Sequence, residues 1–401
     1  MEKMPRMKYI RRITRIIVSN FFRSFLYLLS LFWPRRKNRW VFGAGKRSFT
    51  DNAKYLFLYV ANNCDDIEVA WIARNKEVIK KLNSMGYKSY HIWSLAGINY
   101  CLTAKLYIFS SKSSDINYWT SGGAIHFNLW HGVGIKNIEY EIKTGPIKKH
   151  FQSKIARIAH PEDFRKPDYF LSTSKEMTAH FKKCFRIERG NIFESGYPRN
   201  EILVGSYYSY PGVIDNEIST VLNNISGRKS FLYMPTFRDS NKALNESVLD
   251  LDKLENLNKE KNSIFLMKVH PNTRFKAKKS TYDTIVFLDK RMDVYPLLRH
   301  VDVLITDYSS VFYDFLLTGK PTIFYIYDYK EYISDNRDLA MPFMDNIAGE
   351  ICYSFSDLMV AMSNLKKTST EKSDFLIKKF WGENYSDASK NITSFIKSKV
   401  I

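Results

Sequence analysis

The residues best suited to chemistry sit in short polar clusters, each following an apolar run. In Asn128-Leu-Trp130-His131-Gly132-Val-Gly134-Ile-Lys136, a histidine and two glycines end the run Ile125–Trp130. Imidazole can act as a base near neutral pH, and glycine lets backbone come close to a ligand. Two readings of His131 stand: an exposed base, or a ring packed beneath Trp130. In Tyr233-Met-Pro235-Thr236-Phe-Arg238-Asp239, Arg238 can pair bidentately with a phosphate and Thr236 can donate to it. A surface Arg238–Asp239 pair is the competing reading. Lys268-Val-His270-Pro271-Asn272 closes another run, with Pro271 fixing the turn, and Gly196-Tyr-Pro198-Arg199-Asn200 opens a helix after a strand.

The longest such stretch is Asp302-Val-Leu-Ile-Thr306-Asp307-Tyr-Ser309-Ser310-Val-Phe-Tyr-Asp314, continuing to Gly319-Lys-Pro321 and Thr322–Tyr325. Val303–Ile305 reads as a strand that stops at Thr306-Asp307. A helix is predicted to start near Ser309-Ser310, run through Phe315 to Thr318 and end at Gly319, before Pro321. That order of strand, turn, helix and parallel strand places a helix N-terminus at the carboxyl edge of a sheet, where open α/β sheets bind ligands. Backbone N–H groups and the Ser309 and Ser310 hydroxyls suit a diphosphate there; an ordinary capped βαβ unit explains the same residues without a ligand.

The elements that must carry these clusters alternate. Strands are predicted at Arg39–Gly45, Ile67–Ile72, Leu106–Ser110, Ile125–Trp130, Tyr169–Ser172 and Ile192–Ser195, with helices at Asp51–Val60, Asn75–Asn83 and Lys175–Phe185. After a softer stretch, Gly205–Ser226, that could hold a linker, strands recur at Ser230–Met234, Ile264–Val269, Thr284–Leu288, Val303–Ile305 and Thr322–Tyr325. The pattern predicts an α/β protein of two successive halves with a cleft between them. The expected limits are a membrane-associating segment at 1–38, a first α/β domain at 39–215, a second at 216–375 and a closing helix at 376–401.

With 401 residues, 45% hydrophobic and 15% aromatic, the chain can bury a sizeable core. Cys64, Cys101, Cys184 and Cys352 are scattered singly, which favours a reducing compartment and argues against a structural zinc site. The net charge is +20, and about half of the excess lies between Met1 and Arg39, where cations interleave with Ile16, Phe21, Phe22, Phe25, Leu28, Leu29, Phe32 and Trp33. This segment reads as an in-plane amphipathic anchor for an anionic membrane surface. A transmembrane span and a helix packed on the body are the alternatives. The flanking cations and the lack of a small-residue cleavage site argue against a signal peptide. No helix-turn-helix, zinc-finger or RNA-recognition pattern accompanies the charge, so nucleic acid is not the expected partner.

The clusters together resemble the CDP-glycerol glycerophosphotransferase family, the teichoic acid primases and polymerases of bacterial cell envelopes. The likeness rests on Trp130-His131-Gly132, Gly196-Tyr197-Pro198-Arg199-Asn200, Pro235-Thr236-Phe237-Arg238-Asp239, His270-Pro271, Thr306-Asp307-Tyr308-Ser309-Ser310 with Asp314-Phe315, Gly319-Lys320-Pro321 and Asp387-Ala388-Ser389, between about Trp40 and Ile396. It implies a glycosyltransferase-B-like fold of two Rossmann-like domains facing a central cleft, with 39–215 the acceptor-side and 216–375 the nucleotide-donor domain. It also implies transfer of glycerol phosphate from CDP-glycerol, with release of CMP, to a lipid-linked or polymer acceptor. The setting implied is teichoic acid or related capsule polymer synthesis, peripheral on the cytoplasmic face of the cell membrane.

By the same likeness His131 is the base that takes the acceptor proton. His270, Arg238, Thr236, Ser309 and Ser310 would stabilise the phosphates, and Asp314 would accept from ribose hydroxyls. Trp130, Gly132, Lys136, Arg199, Pro235, Thr306 and Asp307 complete the expected substrate-binding set. No cofactor is expected, and no metal is assigned, although Asp239 and Asp307 could contact a divalent ion. Val133-Gly134 stands where the family usually has Thr-Pro, and Phe237 where Trp is common, which leaves polyol and acceptor open. The absence of a long preceding domain points to a primase or short-chain enzyme. Alternatives are CDP-ribitol as donor, a nucleotide-sugar glycosyltransferase of the same fold, and a basic nucleic-acid- or membrane-binding scaffold.

Overall fold

Runs rich in β-branched and aromatic residues become strands because those side chains suit a pleated, buried surface. The computed structural model describes residues 21–45, 48–143, 145–205, 210–236, 248–269, 282–335, 338–365 and 370–400. Seven strands form the first sheet: β1 (Arg36–Gly43), β2 (Glu68–Ala73), β3 (Ser89–His91), β4 (Ala104–Phe109), β5 (Ile125–Asn128), β6 (Tyr169–Ser172) and β7 (Ile192–Glu194), in the order β3-β2-β1-β4-β5-β6-β7. Six form the second: β8 (Lys229–Met234), β9 (Ser263–Met267), β10 (Ile285–Phe287), β11 (Val303–Thr306), β12 (Thr322–Tyr325) and β13 (Glu350–Cys352), in the order β10-β9-β8-β11-β12-β13.

The two orders match: each sheet grows outward from its first strand in one direction and then reverses, as in the doubly wound Rossmann pattern. The described registers are parallel, for example Val303↔Phe231 and Leu304↔Thr322. Parallel strands covered on both faces read as continuous apolar runs, and β9, β11 and β12 are buried along their whole length. The expected α/β class with two Rossmann-like sheets is therefore found. The chain divides into two compact units. One comprises residues 1–130, 161–170 and 393–401, the other 131–160 and 171–392.

The differences from expectation have local causes. β3 and β13 were not predicted; each is a three-residue edge strand, too short to show a periodicity. The stretch expected to hold a linker contains the helix Asn216–Ile225, capped by the Asp215 carboxylate accepting from the Ile218 N–H at 3.0 Å. Ile218, Val221 and Ile225 fill its buried face, a helical spacing hidden behind the Pro- and Gly-containing turn before it.

Of the expected membrane segment, residues 1–20 lie outside the described residues, and 21–32 are helical. One face of this helix docks on its own unit. Leu26 and Ser30 are buried there, the Tyr27 ring stacks on Tyr118 at 4.9 Å, and the Ser30 hydroxyl accepts from Gly122 N–H at 2.8 Å. The opposite face exposes Phe21, Phe22, Phe25, Leu28 and Phe32. Two cations counted toward the anchor serve the fold instead. Arg35 donates to the carbonyls of Ala104 and Thr120, and Arg39 donates to Glu68 at 2.9 Å. Among the described residues no helix is long and apolar enough to cross a membrane.

Candidate active site

The second sheet reverses its strand order between β8 and β11, and the polar clusters leave the carboxyl ends of those two strands. Side chains tie the ends together. Thr306 donates its hydroxyl to the Met234 carbonyl at 2.7 Å, and Asp307 Oδ1 accepts from the backbone N–H groups of Thr236 at 2.8 Å and Tyr308 at 2.6 Å. Asp307 is 1% exposed. A carboxylate closing two backbone turns keeps Pro235-Thr236 and Tyr308-Ser309 in register with each other.

The helix after β11 is Val311–Leu316, shorter than expected, and Gly319 takes the left-handed conformation at φ +69° that ends this segment before Pro321. Lys320 anchors the exit by donating to the carbonyls of Arg299 at 2.6 Å and Val301 at 2.8 Å. Ser310 is exposed at the helix start, while Ser309 is half-buried with its Oγ accepting from Val311 N–H at 3.4 Å.

The histidine loop arrives beside these serines. Trp130 holds φ +53°, a conformation uncommon for a bulky residue and often kept where function requires it. Its ring is buried against Phe170 at 6.2 Å, so the indole packs in its own unit. His131, by contrast, is exposed rather than packed beneath the indole. Gly132 and Gly134 lie on Ser310: a Cβ on Gly132 would sit 3.2 Å from Ser310 Oγ, and one on Gly134 3.7 Å from Ser310 Cβ. Lys136 continues the same loop, its ammonium 5.7 Å from the Tyr332 ring centre; Tyr332 stacks on Tyr308 at 3.6 Å.

Arg199 and Asp314 form a buried ion pair with Nη2 and Oδ2 2.9 Å apart and side chains 4% and 1% exposed. Asp314 accepts further from Asn200 Nδ2 at 2.8 Å and from the Tyr295 hydroxyl at 2.7 Å. It is thus neither solvated nor a helix cap, and protein donors reach both oxygens of its carboxylate. Arg199 also donates Nη1 to the His131 carbonyl at 2.8 Å, and its guanidinium lies 4.6 Å from the Tyr295 ring centre.

Of the expected site residues, the structure therefore gathers His131, Gly132, Arg199, Ser310 and Asp314, and it links Pro235, Thr236, Thr306, Asp307 and Ser309 at the strand ends. His270 and Arg238, with Asp239, lie outside the described residues. Lys268, two residues before His270, is drawn down in pKa by burial, with Asp293 and Asp289 acting in the other direction. Its ammonium donates to the carbonyls of Asp289 at 3.1 Å and Lys290 at 3.2 Å, which anchors the loop leading to Tyr295. Sequence reasoning missed Tyr295; its signal was weak, a tyrosine before Pro296 at the start of the short helix Tyr295–Leu298. Among the described residues no group of His, Cys, Asp and Glu could hold a metal ion.

Comparison with known proteins finds relatives along most of the chain. A family model described as CDP-Glycerol:Poly(glycerophosphate) glycerophosphotransferase matches residues 25–397. A teichoic acid poly(glycerol phosphate) polymerase of Staphylococcus epidermidis is 28% identical over 375 residues, 89% of this chain and 50% of that protein. A teichoic acid glycerol-phosphate transferase of Staphylococcus aureus is 26% identical over 335 residues, 81% of this chain and 83% of its own. The chain thus spans half of the first relative and most of the second. Among solved structures, the wall teichoic acid polymerase TagF superposes with TM-score 0.77 at 23% identity, over 98% of this chain and 97% of the other, and so shares the fold.

Proposed function

The chain belongs to the CDP-glycerol:poly(glycerophosphate) glycerophosphotransferase family, and from that premise we propose that it transfers glycerol phosphate from CDP-glycerol to a hydroxyl of a lipid-linked or polymer acceptor in teichoic acid or related envelope polymer synthesis. The observation that carries the reading is the juxtaposition of an exposed His131, on a loop laid against Ser310, with the carboxyl ends of β8 and β11 at the reversal of the sheet. In this reading His131 removes the proton of the acceptor hydroxyl. The oxygen forms a bond to the phosphorus that bears glycerol, and the bond from that phosphorus to the bridging oxygen of CMP breaks. CMP leaves with the electron pair, and charge on the phosphates is met by the Ser309 and Ser310 hydroxyls and by the expected donors Thr236, Arg238 and His270.

The acceptor calls for a membrane surface, and two surfaces suit anionic headgroups. The helix 21–32 exposes Phe21 and Phe32 at 77% and 86% beside Arg23. The helices Gly145–Gln152 and Lys154–Ala159 expose Ile155 and Ile158 at 79% and 83% among Lys148, Lys149, Lys154 and Arg157. Apolar side chains flanked by cations gain both burial and attraction at an anionic bilayer.

The test is CMP release from CDP-glycerol, and in parallel from CDP-ribitol, with washed bacterial membranes as acceptor. His131→Ala should lower turnover by roughly 100- to 10,000-fold, the usual worth of a general base. Release from CDP-ribitol alone would move the assignment to that polyol. If a nucleotide sugar gives its diphosphate while neither CDP-polyol gives CMP, the transfer assigned here is wrong.

A further inference from the structure

We propose that Tyr295 and Asn200 are positioning residues for His131, acting through Asp314 and Arg199, and that Asp314 serves this purpose rather than contacting the donor. The inference rests on the reading of His131 as the base. Two separate segments converge on a carboxylate carried by a third. Asn200 comes from the turn Pro198–Asn200, Tyr295 from the helix Tyr295–Leu298, and Asp314 from the helix Val311–Leu316. Asp314 Oδ1 takes the Asn200 amide at 2.8 Å, while Oδ2 takes the Tyr295 hydroxyl at 2.7 Å and Arg199 Nη2 at 2.9 Å. At 1% exposure this carboxylate has its acceptor capacity directed into the protein.

The consequence falls on Arg199. A guanidinium is planar and rigid, so fixing Nη2 on Asp314 and one face on the Tyr295 ring, 4.6 Å away, also fixes the direction of Nη1. Nη1 donates to the His131 carbonyl at 2.8 Å. That bond sets the plane of the peptide between His131 and Gly132, next to a Trp130 already at φ +53°, and hence the direction in which the His131 side chain leaves the backbone. Arg199 is buried and bonded on both sides, so it acts as a strut between the carboxylate and the histidine loop. Tyr295 touches both partners of the ion pair, by its hydroxyl and by its ring, and is the residue whose removal loosens the strut with least change in volume.

Tyr295→Phe keeps the ring and deletes the hydroxyl, and Asn200→Ser shortens the second donor. In the full chain, each should lower kcat for CMP release by about 10- to 100-fold, the effect of displacing a reacting group by ångström amounts, with the CDP-glycerol KM within about twofold of the native value. Arg199→Lys should lose at least as much, because one ammonium cannot span Asp314 and the His131 carbonyl with fixed geometry. A second measurement does not need turnover: the imidazole carbon resonance of His131, assigned by its loss in His131→Ala, should move in Tyr295→Phe and Asn200→Ser while unfolding midpoints stay near native.

A native chain that releases no CMP removes the transfer reading, and the resonance still decides the positioning. Unchanged His131 resonance with unchanged kcat would overturn the proposal. A raised KM at unchanged kcat would overturn it too, by making Asp314 or its partners donor contacts.

Discussion

At the residue scale, two glycines of the recognised clusters have different tasks. Gly196 donates its backbone N–H to the Asn384 carbonyl at 2.9 Å, and a Cβ there would lie 2.3 Å from the Tyr385 carbonyl oxygen. Backbone cannot retreat as a side chain can, so Gly196→Ala should cost about 1–3 kcal/mol or more and lower the urea midpoint measurably. A Cβ on Gly132 would meet Ser310 Oγ at 3.2 Å, which a small shift relieves, and Ser310 Cβ at 3.7 Å and Arg199 Nη2 at 4.0 Å in ordinary contact. Gly132→Ala should therefore keep the unfolding midpoint while reducing CMP release, since the methyl group displaces a serine assigned to the phosphates. Equal losses of stability in the two variants would show that the histidine loop is a packing feature. Residue types were legible in the sequence here, but partners were not. Gly196 was visible as part of a motif, whereas its neighbour Tyr385 lies far along the chain and has no pattern to announce it.

At the element scale, the strands were the most legible feature: Tyr169–Ser172, Thr322–Tyr325 and the helix Lys175–Phe185 stand where the apolar runs placed them. Buried parallel strands leave little room for polar residues, so composition alone marks them. What could not be read was how distant elements are fastened. The helix Ala388–Val400 is joined at its start to Glu201: the Ser389 N–H and hydroxyl donate to the Glu201 carboxylate at 2.8 Å and 2.5 Å. Burial pushes the Glu201 carboxyl up to about 7 from its ordinary 4.5, with the Ser389 hydrogen bonds acting in the other direction.

A carboxyl raised in the folded state binds more protons folded than unfolded between those two values. Its contribution to stability is therefore undiminished below about pH 4.5 and falls as pH rises to about 7, by on the order of 3 kcal/mol. Glu201→Gln removes the titration and keeps an acceptor for Ser389. Urea midpoints measured across that interval should decline more in the native chain than in Glu201→Gln. Parallel curves for the two proteins would mean that Glu201 is not charged against its surroundings in this range.

At the scale of the whole molecule, the question is what the net charge of +20 is for. The cations near the start of the chain are only partly available, since Arg35 and Arg39 are spent on backbone carbonyls and on Glu68. Exposed apolar residues sharpen the answer. Ile155 and Ile158, at 79% and 83% exposure, stand among Lys148, Lys149, Lys154 and Arg157, a combination that nucleic acid would not call for. An anionic bilayer rewards both components, by about 1.5–3 kcal/mol for each isoleucine buried and about 1 kcal/mol for each cation near the surface.

The full chain should accordingly sediment with vesicles containing phosphatidylglycerol and not with vesicles of phosphatidylcholine alone. Replacing both Ile155 and Ile158 by Asp should weaken that binding by about 100-fold or more, and CMP release from CDP-glycerol with a water-soluble acceptor should persist in the same variant. Tight, salt-sensitive binding to duplex DNA without lipid preference would assign the charge to a different partner. Loss of release with soluble acceptor would tie these helices to catalysis rather than to membrane binding.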